Sequence, residues 1–161
     1  MYTWEQICED RRFQDLPFKT ETNARGQVLL TPTALHQGGT SCQIARILAH
    51  LLPRGELVIG CAVQTAGGVK RANIAWVSPE LWTKVRDAYA SSPAPEICVE
   101  VISKSNTWEE MMIKRQLFIG AGAREYWLCD KQGQMRFFDG AAELAESGAC
   151  PGFPREIPSR R

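Results

Sequence analysis

Apolar residues run along this chain in stretches whose spacing changes between the helical and the strand period. Thr3-Trp4-Glu5-Gln6 has capping-box spacing and predicts a short helix. Two short runs around Asn23-Ala24-Arg25-Gly26 read as a hairpin, with strands near 18–22 and 27–31. From about Thr33 to Leu52, Ile44, Ile47, Leu48, Leu51 and Leu52 recur on one side of a helix that Pro53 stops. ELVIGCAVQ and ANIAWVS are strands on either side of a turn at Ala66 to Gly68, and PELWTKVRDAYA is a short helix with Pro79 at its first position. After the SSPAP loop, the apolar run in EICVEVIS suits a strand covered on both faces. Thr107 to Glu110 repeats the capping-box spacing, which predicts a helix from Trp108 to about Ile119 ended by Gly120-Ala121-Gly122. REYWLCD and QMRFFD complete the pattern as adjacent strands around a turn at Lys131 to Gly133.

Helices and strands therefore alternate, the pattern of an α/β (α+β) domain on a mixed sheet. At 161 residues, with neither an internal repeat nor a linker, the chain reads as a single domain over 1–161. Beyond Asp139 it is rich in Gly and Pro, which predicts a frayed tail from about residue 150. A formal net charge of +1 advertises neither a polyanion nor an anionic membrane, and no segment is apolar enough to span a bilayer. The six cysteines form no C-x-x-C pair, and three of them fall within apolar strands. They read as small buried hydrophobes in a reducing cytoplasm rather than as metal ligands or disulfides.

One position breaks the strand pattern. Glu100 puts a carboxylate in the middle of a run that should be buried, and a charge there needs a partner or a ligand. Asn73, on the preceding strand, and Lys114, about two turns into the following helix, are the nearest candidates for company. Oxygens on neighbouring strands can ligate a hard cation such as Mg²⁺, and a nearby lysine can position water or offset charge on a phosphate. The competing reading is an ordinary buried ion pair. Lys70, Arg71, Lys104, Lys114 and Arg115 flank these positions and form either a phosphate-facing patch or a solvated face. Trp76, Trp108, Trp127, Phe137 and Phe138 are either stacking platforms for bases or, as their strand alternation favours, core. His36 begins a helix and on residue type alone carries no chemistry; with His50 as the other histidine, a His-based metal site is not supported.

NARGQVLLTPTALH, RANIAWVSPE, EICVEVISKSN, Lys114 with Phe118, and GAREYWLCD follow one another as in the Uma-two family of restriction-endonuclease-like proteins, of the PD-(D/E)XK nuclease superfamily. The resemblance covers about Phe18 to Asp139. It implies a restriction-endonuclease-like fold with a central mixed sheet flanked by helices. It also implies a Mg²⁺- or Mn²⁺-dependent endonuclease acting on DNA; cutting both strands would need two sites, which a homodimer supplies. By resemblance, Glu100 and Asn73 occupy the metal-ligand positions, Lys114 positions water or phosphate, Glu21 joins them, and His36 lines the site. The family's site resembles a variant of the usual motif: Ile102 stands where the motif lysine would be, and a lysine on the following helix, here Lys114, replaces it. Two positions depart from the family pattern: Phe118 replaces a Tyr, and Asn73 replaces the motif Asp. Asn offers one neutral acceptor oxygen in place of a charged pair, which weakens a hard-cation site. The resemblance thus leaves two readings, a weakened nuclease or an inactive homologue that binds DNA or a protein.

Overall fold

The computed structural model describes residues 2–103 and 106–158. The chain begins with helix α1 (Trp4–Glu9), whose capping box between Thr3 and Gln6 is formed as its spacing predicts. Strands β1 (Phe18–Thr22) and β2 (Val28–Pro32) pair antiparallel as a separate hairpin. Helix α2 (Leu35–Leu51) follows, then β3 (Glu56–Thr65), β4 (Gly68–Val77), α3 (Pro79–Val85), β5 (Ile97–Val101), α4 (Trp108–Gly120), β6 (Glu125–Cys129), β7 (Met135–Phe138) and the short β8 (Glu143–Leu144). The last six strands form one sheet in sequence order, β3 to β8. It is mixed: β5 and β6 run parallel across the crossover helix α4, and the other neighbours are antiparallel.

Each face of the sheet is covered. Ile44 and Leu48 of α2 pack with Ile97, Val99, Val101, Trp127 and Phe137 on one side. Met111 and Phe118 of α4 pack with Cys98, Tyr126, Leu128 and Phe138 on the other. Strands β5 and β6 are consequently buried at every position, which is why, Glu100 and Glu125 apart, their sequences are apolar rather than alternating. The aromatic strand residues are mostly core: Trp127 and Phe137 are fully enclosed, and Trp108 is the exposed one of the five, with the Arg136 guanidinium 4.3 Å from its ring centre.

The tail departs from expectation. Instead of fraying from residue 150, Cys150, Phe153 and Ile157 are buried in the α2-side core. Phe153 lies 4.5 Å from Trp127, centroid to centroid, and the Met135 and Ile157 amides bond to Arg155 O and Gly133 O. Gly and Pro set the turns of this segment, but three apolar side chains decide its fate. Glu125 fastens it as well: its buried carboxylate accepts hydrogen bonds from Trp127 Nε1, Ser147 Oγ and the Ala149 amide, each at 2.7 Å.

A second irregularity lies inside the sheet. On β4, Ile74 and Trp76 face the α2 side, yet Ala72, two residues from Ile74, belongs to the α4-side cluster. The alternation changes phase at Asn73. Opposite it on β3 stands Gly60, with φ +64°, and Arg71 Nε donates to Gly60 O at 2.9 Å. A left-handed residue in a strand is natural to glycine and re-aims the chain on either side.

Candidate active site

The kink at Gly60 and Asn73 sits at one end of β5. The β4–β5 ladder stops at Ile74 opposite Val99, so the peptide of Val101 finds no backbone partner on β4. Side chains replace it. Asn73 Oδ1 accepts from Val101 N at 3.1 Å, and Gln37 Nε2 of α2 donates to Val101 O at 3.1 Å. Gln37 Oε1 also accepts from Ala34 N at 3.0 Å, tying the first turn of α2 to the same point. Glu100, immediately before this anchored peptide, is therefore held rigidly on the α4 side of the sheet.

Hairpin β1–β2 closes over the site. Its docking is set by Thr22, whose hydroxyl accepts from Val69 N and whose carbonyl accepts from Lys70 Nζ, at 2.8 and 2.7 Å. At Gly68, φ +92°, any Cβ would meet the carbonyl of Asn23 at 2.5 Å, so the β3–β4 turn can lie against the hairpin only as glycine. Lys19 and Glu21, two residues apart on β1, then share one face and point at Glu100.

The result is a buried four-membered charge cluster. Lys114 Nζ donates to Glu21 Oε1 at 2.9 Å and to Glu100 Oε1 at 3.1 Å. Lys19 Nζ donates to both Glu100 oxygens, at 3.2 and 3.1 Å, and lies 3.6 Å from Glu21 Oε1. Glu21 Oε1 accepts in addition from the Arg71 amide at 2.8 Å. Burial works against the charged forms of Lys114, Glu21 and Lys19, and its balance with their partners differs. For Lys114, burial alone would lower the pKa, but Glu100 and Glu21 outweigh it and raise it. For Glu21, burial would raise the carboxyl, but Lys114, Lys19 and the Arg71 amide hold it below its ordinary value. For Lys19, burial prevails with help from Lys114, and the ammonium pKa is lowered despite Glu100.

Glu21, Glu100 and Lys114, predicted as site residues, are thus brought into direct contact, and Asn73 lies beside them with its oxygen bonded to Val101. His36 is not brought there. It is exposed and faces a separate groove with Lys131 and Gly133, while its neighbour Gln37 points inward. One step along a helix turns a side chain by about 100°, so an apparent motif position and its neighbour face different ways. The basic patch also disperses. Lys70 is buried against Thr22 O, Lys114 is in the cluster, Arg115 bonds to Asp139 O, and Lys104 lies outside the described residues. Lys19 is the member that sequence reasoning missed; its alternation with Glu21 on a strand was the available signal.

A cavity of about 920 Å³ opens beside the cluster, between the hairpin, α2 and β3–β4. Lys19, Gln37, Arg46, Arg71 and Asn73 give it polar corners, and exposed Leu35 and Ile59 form part of its apolar wall.

The fit of a divalent cation can be tested on these donors. Among the described residues no group of three His, Cys, Asp or Glu side chains is assembled for a metal. Two carboxylates completed by neutral oxygens and water are nevertheless the kind of set Mg²⁺ accepts. Glu21 and Glu100 fit it in donor chemistry, with Asn73 as a neutral neighbour. What opposes it is charge, because two ammonium groups already neutralise the pair.

A mixed α/β sheet with a parallel central pair and a helix on each face is the architecture in which Glu21, Glu100 and Lys114 meet. Residues 10–142 match the Uma2 family, described as "Putative restriction endonuclease", and the chain belongs to that family. Among solved structures, it is similar to "a putative nuclease belonging to DUF820" from Anabaena variabilis, with a TM-score of 0.70 at 9% identity, covering 89% of this chain and 83% of that one. At that identity the likeness speaks for the fold. Among curated proteins none matches. No helix among the described residues is long and apolar enough to cross a membrane.

Proposed function

We propose that this protein is a restriction-endonuclease-like phosphodiesterase acting on DNA with Mg²⁺ or Mn²⁺, and that its cleavage is slow. The observation that carries the reading is the convergence of Glu21, Glu100 and Lys114 from three separate elements, at 2.9 and 3.1 Å, beside an open cavity. Glu21 and Glu100 would hold the cation. Bound between them, it would supply Lewis acidity toward a phosphate and a stronger nucleophile from water. Lys114, held by both carboxylates, would act as a positive charge toward a phosphate oxygen. Asn73 orients the Val101 peptide and with it Glu100, and adds no charge of its own.

The test is plasmid cleavage in Mg²⁺ and in Mn²⁺ by the wild type, Asn73→Asp, and Asn73→Asp with Lys114→Ala. Slow nicking by the wild type, faster by Asn73→Asp and lost without Lys114, is the expected series. Cleavage by Asn73→Asp alone would favour a second reading, a homologue that binds DNA without cutting it. The observation on that side is the neutral cluster itself. If none of the three cuts, the nuclease reading fails.

A further inference from the structure

Lys19 has no place in the chemistry proposed above, yet it is placed more deliberately than a solvated lysine would be. Its ammonium bonds both oxygens of Glu100 and stands 3.6 Å from Glu21, so it faces the two carboxylates at once. It also lines the cavity beside the cluster. Its side chain is only 14% exposed, a costly place for an ammonium group.

We propose that Lys19 is a built-in competitor for the cation site: its ammonium occupies the mouth of the Glu21–Glu100 pair and must swing into the cavity before a divalent cation is held. The inference rests on reading that pair as a cation site. With Lys19 and Lys114 both in place the cluster sums to zero, and a dication would leave two uncompensated charges in a buried setting. Moving Lys19 outward removes one of them and frees Glu100 Oε2, while Oε1 keeps its bond from Lys114. The hairpin residue thereby sets the cation affinity, and Asn73 and Lys19 weaken the site by independent means, one by a missing negative charge and the other by an added positive one.

Calorimetric titration with Mn²⁺ alone, without DNA, tests this on the whole chain. Lys19→Gln, which keeps a donor for Glu100 but no charge, should bind Mn²⁺ at least roughly tenfold more tightly than the wild type. Lys19→Arg, which keeps the charge, should bind no better than the wild type. Lys131→Gln removes an exposed charge in the other groove and controls for net charge; it should change nothing. Lys19→Met repeats the test should Lys19→Gln fail to fold. If Asn73→Asp gains affinity while neither neutral Lys19 variant does, the cation site stands and the role given to Lys19 is overturned. If no variant, Asn73→Asp included, binds Mn²⁺ at millimolar concentration, the cation reading fails and takes this inference with it.

Discussion

Lys114→Met isolates what holds the charge cluster together. The methionine keeps most of the apolar stem but deletes two charge-assisted hydrogen bonds, at 2.9 and 3.1 Å, to carboxylates whose side chains are 8% and 4% exposed. Glu21 and Glu100 would then share Lys19 alone. Breaking a buried pair in this way costs about 3–5 kcal/mol, mostly because a charge is left uncompensated. For a chain of this length that corresponds to a fall in Tm of roughly 6–20 °C, at about 2–4 °C per kcal/mol. Urea unfolding followed by tryptophan fluorescence, together with thermal melts, would measure it. The pH dependence follows from the two shifts. Glu21 is lowered, so its contribution is present above its ordinary value of 4.5 and is lost as pH falls through the folded value. Lys114 is raised, so its contribution is present below 10.5 and is lost as pH rises through the folded value. The deficit of Lys114→Met should therefore be full between those values and narrow in acid. Adding Glu100→Gln should recover about 0.5–3 kcal/mol, since it removes one of the stranded charges. A deficit below about 1 kcal/mol at neutral pH, the range of surface pairs, would refute the claim that the cluster is energetically buried.

Gly60→Ala should cost about 1–2 kcal/mol, because φ is +64° and the new Cβ would stand 2.5 Å from an Arg71 guanidinium nitrogen; urea unfolding reads the loss. Phe153→Ala should cost about 3–5 kcal/mol and speed amide exchange in residues 150–157, the opposite of what a frayed tail would show. Glu125→Ala should cost at least about 2 kcal/mol, since three donors lose their acceptor, and the same exchange experiment should register the released segment. Iodoacetamide at pH 8 should label the exposed Cys42 on the cavity wall first. Cys61 and Cys129, buried and pushed up to about 11 and about 12, should lag far behind in a mass-spectrometric time course.

Element types were readable because periodicity, capping boxes and turn residues report local physics. Trp108 begins α4 behind the Thr107 box, Pro79 opens α3, and the mainly apolar runs became the two central strands. Glu100 announced itself as a charge in such a run. What the sequence concealed was long-range. Nothing local shows that the alternation of β4 shifts phase at Asn73, since that depends on Gly60 thirteen residues earlier and on Arg71 bridging to it. Nothing local brings Lys19 to Glu100 across 81 positions, or tells Gln37 from His36 as the inward residue. The Gly- and Pro-rich tail was misjudged because composition measures chain stiffness and turn preference, whereas burial of Cys150, Phe153 and Ile157 is a tertiary matter.

That tail also imposes an order on the making of the protein. Chain leaves the ribosome from its N-terminal side, so β5, β6 and β7 emerge while the residues that cover Trp127 and Phe137 are still being joined. Until Phe153 and Ile157 are free of the tunnel, α2 alone covers that side of the nascent sheet, and the part of Trp127 and Phe137 on which Phe153 packs stays open. A chain stalled before residue 150 would therefore expose part of its core and be a natural client for chaperones.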